Sequence, residues 1–188
     1  MSKDWQAKHA KMVFDHPHVQ VEEAEWDTPE RQGVRWLTVH RKVAVVIAPR
    51  TADGEFLLIC EERPAVQQTL WTFPAGQVEV TPDAITEAVL LETGRRELLE
   101  ETGQIAEHLE VFGHYHSSPG FTNERLHLLF ADKITPTEGG AHPEGTECIL
   151  DHCLVTADDL RERVLSGELQ DGPSLAMYAQ LSARGYLP

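Results

Sequence analysis

The sequence predicts a mixed α/β sandwich, in which helices pack against a sheet built of strands from both halves of the chain. Apolar, β-branched runs occur before and after a central helical segment, and two more helical segments follow near the end. The chain has 188 residues, of which 41% are hydrophobic and 25% are charged. These values allow a substantial core, so one folded domain with a small appendage is expected.

Strand signals dominate the first half of the chain. The run KVAVVIAP (42–49) is continuously apolar and β-branched, which predicts a buried strand. The turn sequence TADG leads into EFLLICEE (55–62), and the pair predicts a hairpin. A short strand is expected at LWTF (70–73). Residues 1–42 are polar and contain tryptophans, with a turn predicted at DTPERQG.

The central helix is predicted from a start signal and a stop signal. The sequence TPD (81–83) places a hydroxyl cap before a proline at the first helical position. Helical character continues to Thr102, and Gly103 is expected just past the helix end. Gly94 would cost about 1 kcal/mol in a helix interior, so the pattern allows either one long helix or two shorter ones.

The second half of the chain returns to strands and then ends in helices. Strands are predicted over 109–116 and 125–134, followed by a loop rich in glycine and proline over 135–146. The segment ECILDHCLV is then expected to be a strand. ADDLRERVLSG and PSLAMYAQLSA are expected to be helices, the first of them ended by Gly167.

The charge balance excludes several classes of partner. The net charge is −15, which opposes binding to nucleic acid or to an anionic membrane, because both require a basic surface. A small anionic substrate is still allowed if a metal cation screens the site. The sequence has no apolar run long enough to span a membrane and no signal-peptide core, and its three cysteines do not suggest a disulfide framework. A cytoplasmic protein is therefore expected.

The stretch RRELLEETGQ (95–104) carries the chemical signal. Glu97, Glu100 and Glu101 are spaced i, i+3 and i+4, so they share one face of a helix and repel one another. They also lie near the helix C-terminus, where the helix dipole disfavours anions. A bound Mg²⁺ or Mn²⁺ would turn this repulsion into attraction, because both ions prefer hard oxygen ligands. Arg96 is placed to orient one of the carboxylates.

These residues resemble the signature box of the Nudix hydrolases. RELLEETGQ (96–104) is similar to the C-terminal half of the box, with Gln104 in place of an aliphatic residue. Gly76, which would begin the box, lies too far before Arg96, and a six-residue insertion between loop and helix accounts for the spacing. Glu79 then keeps its place near the loop. The upstream glutamate of the box is Glu87, Glu92 or missing.

Four further segments are similar to the ADP-ribose pyrophosphatase branch of that family. They are EERPAV…LWTFPAG (61–76), SSPGFTNERLHLLFA (117–131), EGTECI (144–149) and SGELQDGPSLAMYAQL (166–181). Thr72 departs from the glutamate usual before PAG in this branch, which leaves the fine substrate preference open. The resemblance implies a Nudix-type α/β/α sandwich with a mixed sheet. Residues 1–42 would form a β-rich segment that serves as a dimerisation arm, and residues 43–188 the hydrolase domain.

The resemblance also implies a Mg²⁺-dependent pyrophosphatase, with ADP-ribose as the expected substrate, cleaved to AMP and ribose 5-phosphate. The three box glutamates and the Ala75 carbonyl would hold two or three Mg²⁺ ions, and Glu147, or else Glu144, would assist as base. The same chemistry on another nucleotide sugar or on a dinucleotide such as NADH is the first alternative. A catalytically silent nucleotide-sensing module is the second.

Substrate contacts are expected from residues outside the helix. Arg63 and Arg41 would bind phosphate oxygens, and Trp36 would stack on adenine. Further candidates for substrate contact are Trp26, Glu79, Pro119 and Phe121, and core packing is the alternative for Trp26. His114 and His116 face the same way on a strand but lack a third zinc ligand. Cys148, His152 and Cys153 are interpreted as core and edge residues.

Overall fold

The computed structural model describes residues 5–143 and 148–187. The chain forms two compact units. The N-terminal unit contains the residues up to Val43 together with His116–Arg125, and the second unit contains Ala44–Tyr115 and the residues from Leu126 onward. The assignment of 1–42 and 43–188 as an arm and a hydrolase domain stays a prediction.

Ten strands and three α-helices form within the described residues. The strands are β1 (Gln6–His16), β2 (Val19–Asp27), β3 (Val34–His40), β4 (Ala44–Arg50), β5 (Phe56–Arg63), β6 (Gln68–Thr72), β7 (Ala75–Gln77), β8 (Gln104–His116), β9 (Arg125–Pro136) and β10 (Ile149–Val155). The helices are α1 (Glu87–Thr102), α2 (Ala157–Ser166) and α3 (Gly172–Ala183).

The N-terminal unit contains an antiparallel sheet in the order β1-β2-β3, as expected for a β-rich segment. The predicted turn at DTPERQG joins β2 to β3, and the Thr28 amide donates a hydrogen bond to the Arg31 carbonyl at 2.8 Å. All 11 residues of β1 are exposed, whereas Ala24 in the central strand β2 is buried. Side chains of β1 therefore contribute little to the core of this unit.

The sheet of the second unit is mixed, because β4 runs parallel to β9 and antiparallel to β5. Its strand order is β10-β5-β4-β9-β8. β4 and β5 are paired at Arg50 and Phe56 and then diverge, so that β6 continues beside β5 and β7 continues beside β4. The short segment from β6 to β7 thus fills the opening between the two strands, and it brings Ala75–Gln77 into the sheet.

Helices cover both faces of this sheet, which confirms the predicted α/β/α sandwich with a mixed sheet. On one face, Val46 of β4 and Leu128 of β9 share a buried core with Met177 of α3. Leu129, the next residue along β9, points to the other face and lies against Gly94 of α1. The alternation of side chains along a strand explains why two consecutive residues serve two different helices.

The start of the central helix is predicted incorrectly at Thr81. Thr81 has an extended backbone and its side chain caps nothing, and Pro82–Ala84 form one 3₁₀ turn that the extended Ile85 ends. α1 begins at Glu87, where the Thr86 hydroxyl accepts a hydrogen bond from the Val89 amide. A proline after a hydroxyl residue favours a turn start as well as a helix start, so the local signal did not distinguish the two.

A single helix runs through Gly94, which answers the question that the sequence left open. A Cβ atom at Gly94 would lie 2.4 Å from Cδ2 of Leu129, so glycine permits α1 to approach the sheet. The helix ends as predicted, with Gly103 in the left-handed conformation at φ 67° and its amide bonded to the Leu99 carbonyl. β8 then begins at Gln104, earlier than the predicted 109.

The remaining elements lie where the sequence predicts them. β9 and the two C-terminal helices are present, and Gly167 ends α2. The strand ECILDHCLV is described from Cys148 onward, and the long loop is described as far as Pro143. Cys60, Cys148 and Cys153 are free thiols. Among the described helices, none is both long and apolar enough to cross a membrane.

Candidate active site

Three carboxylates lie on the last turns of α1. Glu97 and Glu101 are only 4% and 3% exposed, although both are acidic. Glu100 is partly exposed on the same side of the helix. Burying two carboxylates one helical turn apart is unfavourable unless each has polar partners. The partners therefore define the site.

Arg96 is one of these partners. Its Nη2 atom lies 2.5 Å from Oε1 of Glu97, and its Nη1 atom lies 2.6 Å from Oε2 of Glu100. Burial by itself would lower the pKa of the Arg96 guanidinium, but the two carboxylates outweigh that effect and raise the pKa above its ordinary value. One arginine thus partly neutralises two of the three carboxylates.

The segment Ala75–Gly76 of β7 is the second partner. The Ala75 amide donates a hydrogen bond to Oε2 of Glu101 at 3.0 Å. A Cβ atom at Gly76 would lie only 1.8 Å from the carboxylate of Glu97, so only glycine allows this approach. Glu97 and Glu101 therefore converge on two consecutive backbone positions in the opening between β4 and β5.

The donor set at this place fits a hard divalent cation. Carboxylate oxygens and a nearby strand backbone are the ligands that Mg²⁺ and Mn²⁺ prefer, and the glycine leaves room beside Glu97. As the side chains stand, no three histidine, cysteine, aspartate or glutamate groups in the described residues are gathered in a metal-binding arrangement. Arg96 and the Ala75 amide hold the carboxylates in this arrangement.

The C-terminal carbonyls of α1 are bound by the strands and loop that follow. The Glu100 carbonyl accepts from the His142 amide at 2.7 Å, and the Gly103 carbonyl accepts from the Thr137 amide at 2.8 Å. The Glu101 carbonyl is bound by a side chain, because Nε2 of His152 lies 2.8 Å away. The sequence analysis groups His152 with Cys148 and Cys153 as core and edge residues, without a role at the helix end. No local pattern could have revealed this contact, since 51 positions separate the two residues.

Arg63 lies at the end of β5 in the same unit. It forms an ion pair with Glu61, which is 6% exposed and whose Oε1 also accepts a hydrogen bond from Thr72 at 3.1 Å. Arg63 itself is about half exposed and borders a hollow of about 260 Å³. The sequence did not single out Glu61, although it is the buried acid that holds the predicted phosphate-binding arginine.

Other predicted site residues belong to the N-terminal unit. Trp36 on β3 is 42% exposed and borders a concave surface of about 360 Å³ together with Arg35 and Gly120. Trp26 on β2 meets Trp5 edge to face, with ring centroids 6.2 Å apart. The packing alternative thus has a visible partner for Trp26, whereas the Trp36 side chain is accessible to a ligand.

Arg41, Pro119 and Phe121 also lie in the N-terminal unit. Nε of Arg41 lies 3.2 Å from Oε1 of Glu124, whose other oxygen accepts a hydrogen bond from the Ser117 hydroxyl at 2.6 Å. Arg41, Phe121 and Glu124 border a hollow of about 220 Å³. Phe121 is 54% exposed, and Pro119 is exposed in the adjoining turn.

Three further predicted residues follow β7 or precede β10, and the described residues include one of them. Glu79 is exposed just after β7. Glu144 and Glu147, the two candidates for the base, lie outside the described residues. His114 packs against His127, with ring centroids 5.4 Å apart, and the described residues supply no third ligand for a zinc pair.

Comparisons with known proteins identify two relatives of this chain by sequence. An ADP-ribose pyrophosphatase of Bacillus subtilis (strain 168) is 28% identical over 128 residues, which is 68% of this chain and 65% of that protein. The match thus spans slightly less than two thirds of that relative. A methanol dehydrogenase activator of Bacillus methanolicus is 25% identical over 185 residues, or 96% of both proteins.

A solved structure shows a shared fold, and a family model shows the family to which the chain belongs. A crystal structure of an ADP compounds hydrolase superposes with a TM-score of 0.78 and covers 98% of both chains, at 16% identity, which establishes a shared fold. The sequence model of the NUDIX domain matches residues 39–176, which is well over half of the chain. This range includes α1 with its carboxylates and the Ala75–Gly76 segment. The chain therefore belongs to the Nudix family.

Proposed function

We propose that this Nudix hydrolase is a Mg²⁺-dependent pyrophosphatase that cleaves ADP-ribose to AMP and ribose 5-phosphate. Hydrolysis of a phosphoanhydride is the chemistry of the family. The observation that carries the proposal is the convergence of the buried Glu97 and Glu101 carboxylates on Ala75 and Gly76. A pyrophosphate substrate is strongly anionic, and a protein of net charge −15 needs cations at the site to bind it.

Glu97, Glu100, Glu101 and the Ala75 carbonyl are the groups that would hold Mg²⁺, or Mn²⁺ in its place. When bound, these ions neutralise charge on the diphosphate and lower the pKa of a bound water. Arg96 orients Glu97 and Glu100 through its two ion pairs. The Ala75 amide orients Glu101. Water adds at one phosphorus, and the bond from that phosphorus to the bridging oxygen breaks.

Residues outside α1 have proposed roles in binding and proton transfer. Arg63, held by Glu61, and Arg41 bind phosphate oxygens, because guanidinium groups match the geometry of phosphate. Trp36 stacks on the adenine, which its exposed ring supports. Glu147, or else Glu144, accepts a proton from the attacking water. This last role rests on the family resemblance alone.

The choice of ADP-ribose as substrate is supported by the relative named ADP-ribose pyrophosphatase. The test is to separate and identify the products formed from ADP-ribose with excess Mg²⁺, with and without EDTA, beside a panel of nucleotide sugars and dinucleotides including NADH. AMP and ribose 5-phosphate should appear only with the metal, and faster than products from the panel. Faster cleavage of another compound would retain the chemistry and replace the substrate. Binding without any cleavage would favour a nucleotide-sensing module.

A homodimer is part of the proposal, with the N-terminal segment as the dimerisation arm. Every residue of β1 is exposed, including the apolar Met12, Val13 and Phe14. β1 also lies at an edge of its sheet, where backbone groups are available to another strand. Sedimentation equilibrium of the full chain tests this, and a monomer at micromolar concentration would rule it out.

A second candidate function follows from the relative named methanol dehydrogenase activator, which aligns over 96% of both proteins. In this alternative the chain activates a dehydrogenase. A methanol dehydrogenase should then turn over faster when this chain is added. Comparison with the Glu101→Gln variant would show whether activation requires hydrolysis, because that variant should retain the fold while losing a carboxylate.

A further inference from the structure

We infer that His152 is a positioning residue for the carboxylates of α1, acting through the backbone of Glu101. The inference rests on the proposed function, because it assigns a role in the same site. Nε2 of His152 lies 2.8 Å from the Glu101 carbonyl oxygen. A carbonyl can only accept, so Nε2 carries the hydrogen and donates it.

The contact compensates a weakness at the end of α1. The last carbonyls of a helix have no partner within the helix, and here three carboxylates add negative charge to the same end. The Leu99 carbonyl is bound by the Gly103 amide and the Glu100 carbonyl by the His142 amide. His152 provides the side-chain donor, and it acts on the residue whose carboxylate is bound to Ala75.

The sheet determines where this histidine lies. β10 pairs with β5, with His152 opposite Ile59, and Ile59 in turn lies opposite Thr72 of β6. Directly paired residues point to the same face, so His152, Ile59 and Thr72 share one face of the sheet. The contact of His152 with Glu101 shows that α1 covers this face. The pairing of β10 with β5 therefore places the donor beside the last turn of α1.

Glu101 is consequently bound at both its side chain and its backbone. The Ala75 amide binds its Oε2, and His152 binds its carbonyl. Loss of the backbone contact should let the last turn fray and spread the orientations of Glu100 and Glu101. We expect a metal affinity about 10-fold weaker, the lower end of what loss of an outer partner of a metal ligand produces.

The chain offers a matched control for this test. His142 also contacts the end of α1, but through its backbone amide, which any substitution except proline retains. His152→Ala should therefore weaken Mn²⁺ binding, whereas His142→Ala should not. His152→Gln should restore binding, because the glutamine amide can donate to the same carbonyl.

The experiment makes two measurements without substrate. Electron paramagnetic resonance monitors a Mn²⁺ titration, and hydrogen exchange is measured at residues 98–104. Support requires weaker Mn²⁺ binding and faster exchange in His152→Ala, near-normal values in His152→Gln, and no change in His142→Ala. Raising the Mg²⁺ concentration should then recover most of the His152→Ala turnover, which a general loss of folding would not allow.

Two results would overturn the inference. Unchanged exchange and Mn²⁺ affinity in His152→Ala would show that the contact does not hold the last turn. Equal losses in His152→Ala and His152→Gln would show that the hydrogen bond is not the cause. Absence of Mn²⁺ binding by the wild-type protein would instead refute the proposed metal site, and the exchange measurement would still decide whether His152 fixes the helix end.

Discussion

Glu101 meets two structural requirements at once. Its carboxylate accepts a hydrogen bond from the Ala75 amide, and its backbone carbonyl accepts one from His152. It is also one helical turn from Glu97, and both side chains are almost completely buried. A residue chosen for stability alone would not be an acid here, because buried like charges at this spacing repel each other.

Replacing Glu101 with glutamine should separate chemistry from stability. The amide oxygen can still accept the Ala75 hydrogen bond, and one negative charge is removed from the pair with Glu97. Turnover should fall by about 100-fold or more, the scale of losing a metal ligand, while the melting temperature without metal stays equal or rises. AMP release and thermal unfolding measure the two effects.

Glu162→Gln is the control for that substitution. Glu162 is on α2, and its side chain is 69% exposed, so the turnover and stability of this variant should remain near those of the wild type. If Glu101→Gln turned over at a near-normal rate, Glu101 would not be a metal ligand.

Gly76 should tolerate no larger residue. In Gly76→Ala the new methyl group would lie 1.8 Å from the carboxylate of Glu97, so that side chain or the strand must move. We expect a loss of about 1–3 kcal/mol in the free energy of unfolding, together with reduced turnover. Gly172→Ala is the control, because a Cβ atom there meets nothing within 4 Å. Urea unfolding curves in which the two variants coincide would contradict the steric argument.

At the scale of elements, α1 shows which local signals are reliable. Its C-terminus follows from Gly103, which has a left-handed backbone conformation. Glycine adopts this conformation without strain. Its N-terminus does not follow from TPD (81–83), because Pro82–Ala84 form only a 3₁₀ turn. β7 was not predicted either, since three residues carry no periodic pattern and their strand conformation comes from pairing with β4.

The corrected helix start leads to a paired prediction. Thr86→Ala removes the hydroxyl that accepts from Val89 and should lower the free energy of unfolding by about 1 kcal/mol. Thr81→Ala should change it by less than about 0.5 kcal/mol, because the Thr81 side chain caps nothing. Denaturant unfolding of both variants measures the difference. A larger loss in Thr81→Ala would place the functional start of the helix at the 3₁₀ turn.

At the scale of the whole molecule, the net charge of −15 links stability to metal. A ligand that binds only the folded state stabilises it by mass action, by about 2.7 kcal/mol at a concentration 100 times its dissociation constant. Mg²⁺ should therefore raise the melting temperature more than NaCl at the same ionic strength. The extra rise should be smaller in Glu101→Gln. Equal shifts with the two salts would indicate charge screening without a specific site.

Much of the fold was predictable because its signals are local. The buried strand β4, the hairpin with β5, the C-terminal helices and the acidic face of α1 all follow from periodicity and from turn or cap residues close to them in the sequence. The type and spacing of the three glutamates also predict a cationic ligand, because carboxylates crowded at the negative end of a helix dipole favour a cation. That ligand stays a prediction.

The sequence by itself determined the carboxylate face and the helix end, whereas the tertiary structure decided what meets them. Ala75 and Glu101 are 26 positions apart, and Glu101 and His152 are 51 positions apart. These contacts exist because β4 and β5 diverge, β7 enters the opening, and Gly94 lets α1 pack closely on the sheet. Such contacts depend on the packing of a helix against strands, which no local pattern of residues encodes.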